Sequence, residues 1–284
     1  MSIAAETIEQ LHSWASARDD VHALVLLGSQ ARTDHPADDS SDIDVVLAVD
    51  DPTTYLADDD WLHSFGAVMA SFVDATPVGG MSERRVLFAS GQDVDFTFVP
   101  VEMMRLLPEF AEDPDVRGMF GRGVRILIGD DALRAGIARI VPPLPGDPAP
   151  VDSDLGAVSN RFWFKLVWAA KKWRRGELWV AMTTCETVLT TCLVDMLRSR
   201  TSLRDPTRDL WHGNRYLEEW LEPDVVEALA ATRGGYGRDA IATSLRRVAA
   251  MFTDVESECR ALTDFSNGAD DDGSRRLFER LLAT

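Results

Sequence analysis

Asp42 and Asp44 flank a single residue at the head of an apolar run, Ser41-Asp42-Ile43-Asp44 followed by Val45 to Val49. In a strand, residues i and i+2 share a face. The two carboxylates therefore converge on one point, while Ile43 and Val45 turn into a core. Two like charges on a mostly apolar strand are costly unless a cation neutralises them, and oxygen-only ligands favour Mg²⁺ or a similar hard ion. Asp95 stands alone among Val94, Phe96 and Phe98, and three carboxylates meet if its strand pairs beside the first. Upstream, Gly28-Ser29 ends an earlier apolar run. Glycine lets backbone approach a phosphate closely, and the serine adds an N–H and a hydroxyl toward phosphate oxygens. These parts fit in-line transfer at a nucleoside triphosphate. One metal would hold the β- and γ-phosphates and a second would sit between the α-phosphate and the attacking hydroxyl. Asp95 would ligate that second metal or accept the hydroxyl proton. Gly-Ser alone says little and D-x-D alone not much more; the ordered set is the signal.

The elements that must position these residues can be read in order. Helical spacing of Ile3, Ile8, Leu11, Trp14 and Ala15 predicts a first amphipathic helix over 3–17. Val21 to Leu27 and Asp42 to Val49 read as buried strands, joined by an Asp-rich loop over 33–41. The stripe Trp61, Phe65, Val68 and Phe72 predicts a helix over 58–73. Arg84 to Ala89 and Val94 to Val99 flank Ser90-Gly91-Gln92-Asp93 and predict a β-hairpin. Short helices are expected at 101–109 and 112–119, a strand at 124–128, and a helix from Asp130 to Ile140. Residues 141–154 hold five prolines and mark a stiff linker. Beyond it strand signals stop, and helices are expected at 155–175, 177–199, 212–232, 237–262 and 274–282, with Asp270 to Asp272 in a solvated loop. The fold expected is α+β. Residues 1–141 would hold a small mixed sheet flanked by helices, 142–154 a linker, and 155–284 an all-α helical bundle.

Charge narrows the partners. The net charge is −18, and residues 1–141 carry 25 acids against 10 bases, while 142–284 carry 22 against 19. Such a front half repels a long nucleic acid and attracts a small polycation. No run approaches the ~18 uninterrupted apolar residues of a membrane span, and the acidic N-terminus lacks the basic region of a secretory signal. Cys185, Cys192 and Cys259 have no metal-ligand spacing and are expected to be free thiols in a reducing cytoplasm. The five histidines (His12, His22, His35, His63 and His212) form no metal-site pattern.

The segments Gly28-Ser29-Gln30-Ala31-Arg32, Ser41-Asp42-Ile43-Asp44-Val45 and Val94-Asp95-Phe96-Thr97-Phe98 resemble the polymerase-beta-like nucleotidyltransferase superfamily. Within it the chain resembles the aminoglycoside 6-adenylyltransferases, the streptomycin adenylyltransferase family. Arg125 to Asp131 is similar to that family's L-x-D-K-D segment, Asn160 to Phe164 to N-E-F-W-W, Ala170-Lys171 with Arg175 to Leu178 to A-K…R-x-E-L, and Gly213 to Leu221 to G-K-Y-L-K-K-Y-L. Departures are Gln30 for the arginine of G-S-R, with Arg32 nearby instead, a missing lysine in L-x-D-K-D, and Arg161 for the glutamate of N-E-F-W-W. The resemblance implies AMP transfer from ATP to an aminoglycoside hydroxyl with release of pyrophosphate, an antibiotic-resistance activity. It implies metal ligation by Asp42 and Asp44, with Asp95 as third carboxylate, and phosphate contact by Ser29 beside Gly28, helped by Arg32.

The three lysines, Lys165, Lys171 and Lys172, lie within eight residues. They form either a solvated basic face or a cationic wall for the triphosphate, and Lys171 stands at the family's A-K position. Six of eight tryptophans fall between Trp163 and Trp220, as core packing or as rings, Trp163 among them, that line an antibiotic pocket. Glu186 and Asp195 could receive the ammonium or guanidinium groups of a cationic sugar. The expectation is a cytoplasmic, Mg²⁺-dependent adenylyltransferase using ATP and a small cationic aminoglycoside, streptomycin first, with its site in a cleft between the two domains. Left open are another acceptor (a lincosamide, a metabolite or a protein) and a non-catalytic or toxin-antitoxin interaction protein on the same scaffold.

Overall fold

A computed structural model describes residues 2–76, 81–140 and 154–283. The chain divides into two compact units, Met1–Pro143 and Leu144–Thr284. Most of the expected linker, 142–153, lies outside the described residues.

The first unit is a mixed α/β layer structure. Its strands are β1 (Val21–Leu26), β2 (Ile43–Val49), β3 (Val68–Ala75), β4 (Ser82–Phe88), β5 (Asp93–Pro100) and β6 (Arg125–Ile128). They form one six-stranded sheet in the order β3-β4-β5-β2-β1-β6. Only β2 and β5 pair in parallel; the other pairs are antiparallel. Side chains alternate across the sheet, so β2 sends Ile43, Val45, Leu47 and Val49 to one core and Val46 and Ala48 to another. The first core is closed by α1 (Ile3–Ser16), α2 (Pro52–Ala57) and a 3₁₀ turn at Asp60–Phe65; the second by α3 (Val101–Leu106), α4 (Pro114–Phe120) and α5 (Asp131–Ile137). The same alternation puts Asp44 and Asp95 on the second face, beside each other at the head of the parallel pair.

In the second unit every regular element among the described residues is helical. These are α6 (Leu155–Arg174), α7 (Leu178–Thr184), a π turn (Cys185–Leu189), α8 (Thr190–Arg204), α9 (Leu217–Trp220), α10 (Pro223–Ala231), α11 (Arg238–Leu262) and α12 (Asp271–Leu282). They enclose a single core that includes Trp163, Leu193, Leu245 and Phe252. Leu178–Arg204 is long and apolar enough to cross a membrane by length and composition, and half of its apolar window is buried inside the protein. The three cysteines are buried and free.

Three expectations are corrected. Residues 58–73 do not form one helix. Gly66 takes φ 134°, a backbone that ends the 3₁₀ turn. Val68 to Ala75 then becomes an edge strand against β4, as its Val and Phe content suits. Residues 212–232 break into α9 and α10, because Pro223 starts a new helix and cannot continue an old one. The aspartate run begins α12 instead of sitting in a loop. Asp270 caps the Gly273 N–H at 2.7 Å, and acids are favoured at the positive end of a helix.

Candidate functional site

Residue alternation, a hairpin register and one glycine turn assemble the acid cluster. Asp44 pairs with Asp95 across the parallel β2–β5 ladder. Oxygens of Asp42, Asp44 and Asp95 all lie within 4.8 Å of one another, and all three residues are half-buried. The 3₁₀ turn Gly28–Gln30 leaves β1 directly beside them. Leu27 N–H donates to the Asp44 carbonyl at 3.0 Å. Gly28 sits at φ +60°, and a Cβ there would stand 2.1 Å from Asp44 Oδ2, so both backbone and space require glycine. The Ser29 hydroxyl is buried without a hydrogen-bond partner among the described residues. Left unpaired, such a group costs about 1–3 kcal/mol.

Electrostatics set Asp95 apart. Burial pushes its carboxyl up to about 6; Arg85 pulls the other way, while Asp44, Glu83 and Asp42 add repulsion. Arg85 Nη1 lies 3.6 Å from Asp95 Oδ2, but its guanidinium is also committed to Glu83 Oε1, through Nε at 2.8 Å and Nη2 at 2.5 Å. The Glu83 hydrogen bond is the main cause holding the Arg85 pKa above its ordinary value. An oxygen-only donor set with excess negative charge fits a hard divalent cation, and the adjacent glycine turn with its orphaned hydroxyl fits a phosphate.

Three residues have supporting roles that sequence reasoning did not assign. Gln92 is buried and donates to the Ser41 and Asp93 carbonyls, both at 3.0 Å, tying the hairpin turn to the D-x-D segment. Gln30 donates to the Asp42 carbonyl at 3.3 Å. Arg85 could have been found by counting back from the hairpin turn, which sets it opposite Asp95.

The remaining sequence candidates separate. Arg32 lies in the loop after the glycine turn, its Nε donating to the His35 carbonyl at 2.8 Å. Lys171 is exposed on α6 and pairs with no acid among the described residues, whereas Lys172 is 2.7 Å from Glu177. Glu186 is half-buried in the π turn. Asp195 is half-buried; burial raises its pKa, and Arg198 and Arg161 act against that rise, so it already faces two cations. Trp163 is not available to a substrate. It is 2% exposed, packs edge-on against Phe162 and Phe252, and donates its ring N–H to Glu256 at 3.3 Å. Helical spacing alone did not reveal which face of α6 meets the core.

The family model described as streptomycin adenylyltransferase matches residues 1–278. An aminoglycoside 6-adenylyltransferase of Campylobacter jejuni is 21% identical over 272 residues, 92% of this chain and 89% of that protein. Among solved structures, an aminoglycoside 6-adenyltransferase from Bacillus subtilis is 17% identical with a TM-score of 0.47, over 98% of each chain. A nucleotidyltransferase-like protein from Exiguobacterium sibiricum is 12% identical with a TM-score of 0.35, over 90% of this chain and 77% of that one.

Proposed function

The chain belongs to the streptomycin adenylyltransferase family and is a nucleotidyltransferase, and on that premise we propose that it moves AMP from ATP to a hydroxyl of an aminoglycoside, streptomycin first, releasing pyrophosphate. The observation that carries this reading is the cluster of Asp42, Asp44 and Asp95 beside a glycine turn whose Ser29 hydroxyl is buried and unpartnered. The three aspartates would hold Mg²⁺, which when bound neutralises triphosphate and carboxylate charge. The Ser29 hydroxyl donates to a phosphate oxygen, and the closeness of the Gly28 backbone keeps that oxygen near the acids. Arg32 supplies further positive charge to the triphosphate. The acceptor oxygen attacks the α-phosphorus, the bond from that phosphorus to pyrophosphate breaks, and Asp95 takes the acceptor's proton. Without the metal, burial holds the Asp95 carboxyl up to about 6, so it is ionised at neutral pH and able to accept a proton. Residues 1–141 are then the catalytic domain and 155–284 a helical bundle that binds the acceptor. The front half's acidity suits a polycation.

Purified protein with ATP and Mg²⁺ is expected to release pyrophosphate in the presence of streptomycin and to add one AMP to it by mass. A panel of aminoglycosides, a lincosamide and a protein acceptor discriminates the acceptor class. Release with none of the aminoglycosides overturns the reading. A host expressing the chain is expected to resist streptomycin and to remain sensitive to spectinomycin and kanamycin.

A further inference from the structure

The second face of the sheet is covered only in part. The helices of the second core lie over β1, β2 and the far end of β5, through Ala23, Val25, Val46, Ala48 and Val99. The strand register carries that face on beyond them. Asp44 pairs with Asp95, Asp95 with Arg85 and Arg85 with Phe72, one row running across β2, β5, β4 and β3. In the row on one side, Ala70 pairs with Leu87 and Leu87 with Asp93; in the row on the other, Asp74 pairs with Glu83 and Glu83 with Thr97. Phe72 is two strands from Asp95 on the same face, and with neighbouring strands about 4.8 Å apart it stands roughly 10 Å away across the sheet.

Ala70, Phe72 and Leu87 form an exposed apolar patch there; Phe72 is 54% and Leu87 37% exposed. An aromatic left open on an edge strand is a liability that proteins ordinarily blunt, and this one adjoins the acid cluster. Its surroundings are negative. β3, β4 and β5 place Asp74, Glu83, Asp93 and Asp95 on this face against a single base, Arg85, and Arg85 is held by Glu83 through Nε at 2.8 Å. Asp74 and Asp93 are exposed and flank the patch. On the adenylyl-transfer reading the triphosphate lies in the other direction. The Gly28–Gln30 turn follows β1, which borders β2 on the side away from β5. In an in-line displacement the attacking and leaving oxygens stand on opposite sides of the phosphorus. With pyrophosphate leaving toward β1, the attacking hydroxyl comes from the β4–β3 side, over the patch.

We propose that this patch seats the acceptor ring that bears the attacked hydroxyl, with the ring over Phe72 and Leu87 and its ammonium or guanidinium substituents drawn to Asp74 and Asp93. The proposal rests on the adenylyl-transfer reading for the direction of attack. An aromatic face attracts cations, and an apolar patch fringed by acids selects a ligand that is both ring-shaped and cationic. The same excess of acids repels a polyanion. Phe72 and Asp74 are therefore specificity determinants, which choose the acceptor and leave ATP untouched.

The test uses the full chain with streptomycin as probe, read as the KM values of AMP transfer and as calorimetric binding of streptomycin without ATP. Phe72→Ala is expected to raise the streptomycin KM and Kd about threefold to thirtyfold, with the KM for ATP unchanged. Phe72→Tyr, which keeps the ring, restores the wild-type value, and Phe72→Leu, which keeps only apolar area, does not. Asp74→Asn gives a rise of about threefold that fades at high salt. An unchanged acceptor KM in Phe72→Ala and Asp74→Asn, with transfer to streptomycin intact, overturns the patch and leaves the reaction standing. No transfer to any acceptor, with streptomycin binding that weakens in Phe72→Ala, overturns the reaction and leaves the patch standing. No transfer together with no binding, or with binding unchanged in Phe72→Ala, overturns both. A wild-type dimer that Phe72→Ala turns into a monomer assigns the patch to a second copy of the chain, and a lower melting temperature with both KM values raised assigns it to packing; either result overturns the proposal.

Discussion

Two carboxylates, one in each unit, contrast a buried acid that is fully partnered with a half-buried acid crowded by like charges. Glu256 on α11 is 4% exposed and fully partnered. It accepts from the Ser159 hydroxyl at 2.5 Å, from Trp163 Nε1 at 3.3 Å and from Arg260 Nη2 at 2.9 Å. Asp95 on β5 has a side chain 17% exposed and meets a shared arginine at 3.6 Å and three other acids. A buried charge that is paired and hydrogen-bonded can hold a fold together; one that is crowded by like charges works against it until a cation arrives. The second unit spends its buried acid on packing α6 against α11, and the first unit keeps its acids in tension where the strands begin.

The sharpest way to break this contrast is to neutralise each acid. Asp95→Asn is expected to lower the rate of AMP transfer about 10²- to 10⁴-fold, the usual loss on removing a general base. The same change should make the protein more stable. The native pKa of Asp95 lies above its unfolded value, so ionisation is disfavoured by folding; at neutral pH this costs on the order of 2 to 3 kcal/mol, which Asn releases. Pyrophosphate release and urea unfolding of the same preparation measure both effects. A variant both slow and less stable would mean that Asp95 holds the sheet together instead of straining it. Glu256→Ala should do the reverse. It strands the Ser159 and Trp163 donors, at about 1–3 kcal/mol each, although Arg260 keeps Asp271 at 2.9 Å, while the KM for ATP stays as in the wild type at temperatures where the variant is folded. Denaturant midpoints and initial rates below the transition show which unit each acid serves.

A cation should narrow the difference from the other side. Mg²⁺ at about a hundred times its Kd is expected to raise stability by about 2.7 kcal/mol, an increment absent from an Asp42→Asn, Asp44→Asn double variant. The pH dependence has a definite sign. Without Mg²⁺, Asp95 makes the protein less stable as pH rises from its ordinary value toward and through about 6, and acid relieves that cost. With Mg²⁺ the increment is lost as pH falls through the same range, because a protonated Asp95 no longer offers its charge. Melting curves at pH 5 and pH 8, with and without Mg²⁺, check both limbs.

How much of this could be read in the residues alone follows from which signals are local. The D-x-D pair, the Gly-Ser turn and the hairpin around Gly91 announce themselves within a few residues, because alternation and turn chemistry are short-range. The parallel pairing that sets Asp44 beside Asp95 is contact between distant segments, and Asp95 itself was the clue: a lone acid in an apolar strand needs a reason. The stripe Trp61, Phe65, Val68, Phe72 misled because a helical period was read across Gly66. Trp61 and Phe65 do pack on the first core, but Phe72 is 54% exposed on the edge strand β3. Trp163 misled in the opposite sense. An aromatic on a helix carries no mark of whether it faces a ligand or a core, and the Glu256 and Phe252 that enclose it come from α11, some ninety residues away.

The smallest expected effect concerns the Ser29 hydroxyl, and it separates the two kinds of unsatisfied group. An orphaned buried hydroxyl in a purely structural setting is a defect, so its removal improves stability slightly and changes nothing else. At a phosphate site it is a donor in reserve. Ser29→Ala should therefore leave the melting temperature unchanged or raise it slightly, since no protein partner among the described residues is lost. It should weaken ATP by about tenfold, the worth of one hydrogen bond to a charged oxygen, with the acceptor KM unaffected. Replacing Gly28 by Ala gives the control for geometry. Its Cβ would meet Asp44 Oδ2 at 2.1 Å from a left-handed backbone, so it disturbs the carboxylates and lowers stability as well as ATP affinity. If Ser29→Ala leaves the KM for ATP where it was, the glycine turn serves the position of Asp44 and not the phosphate, and the triphosphate must take its hydrogen bonds from elsewhere in the chain.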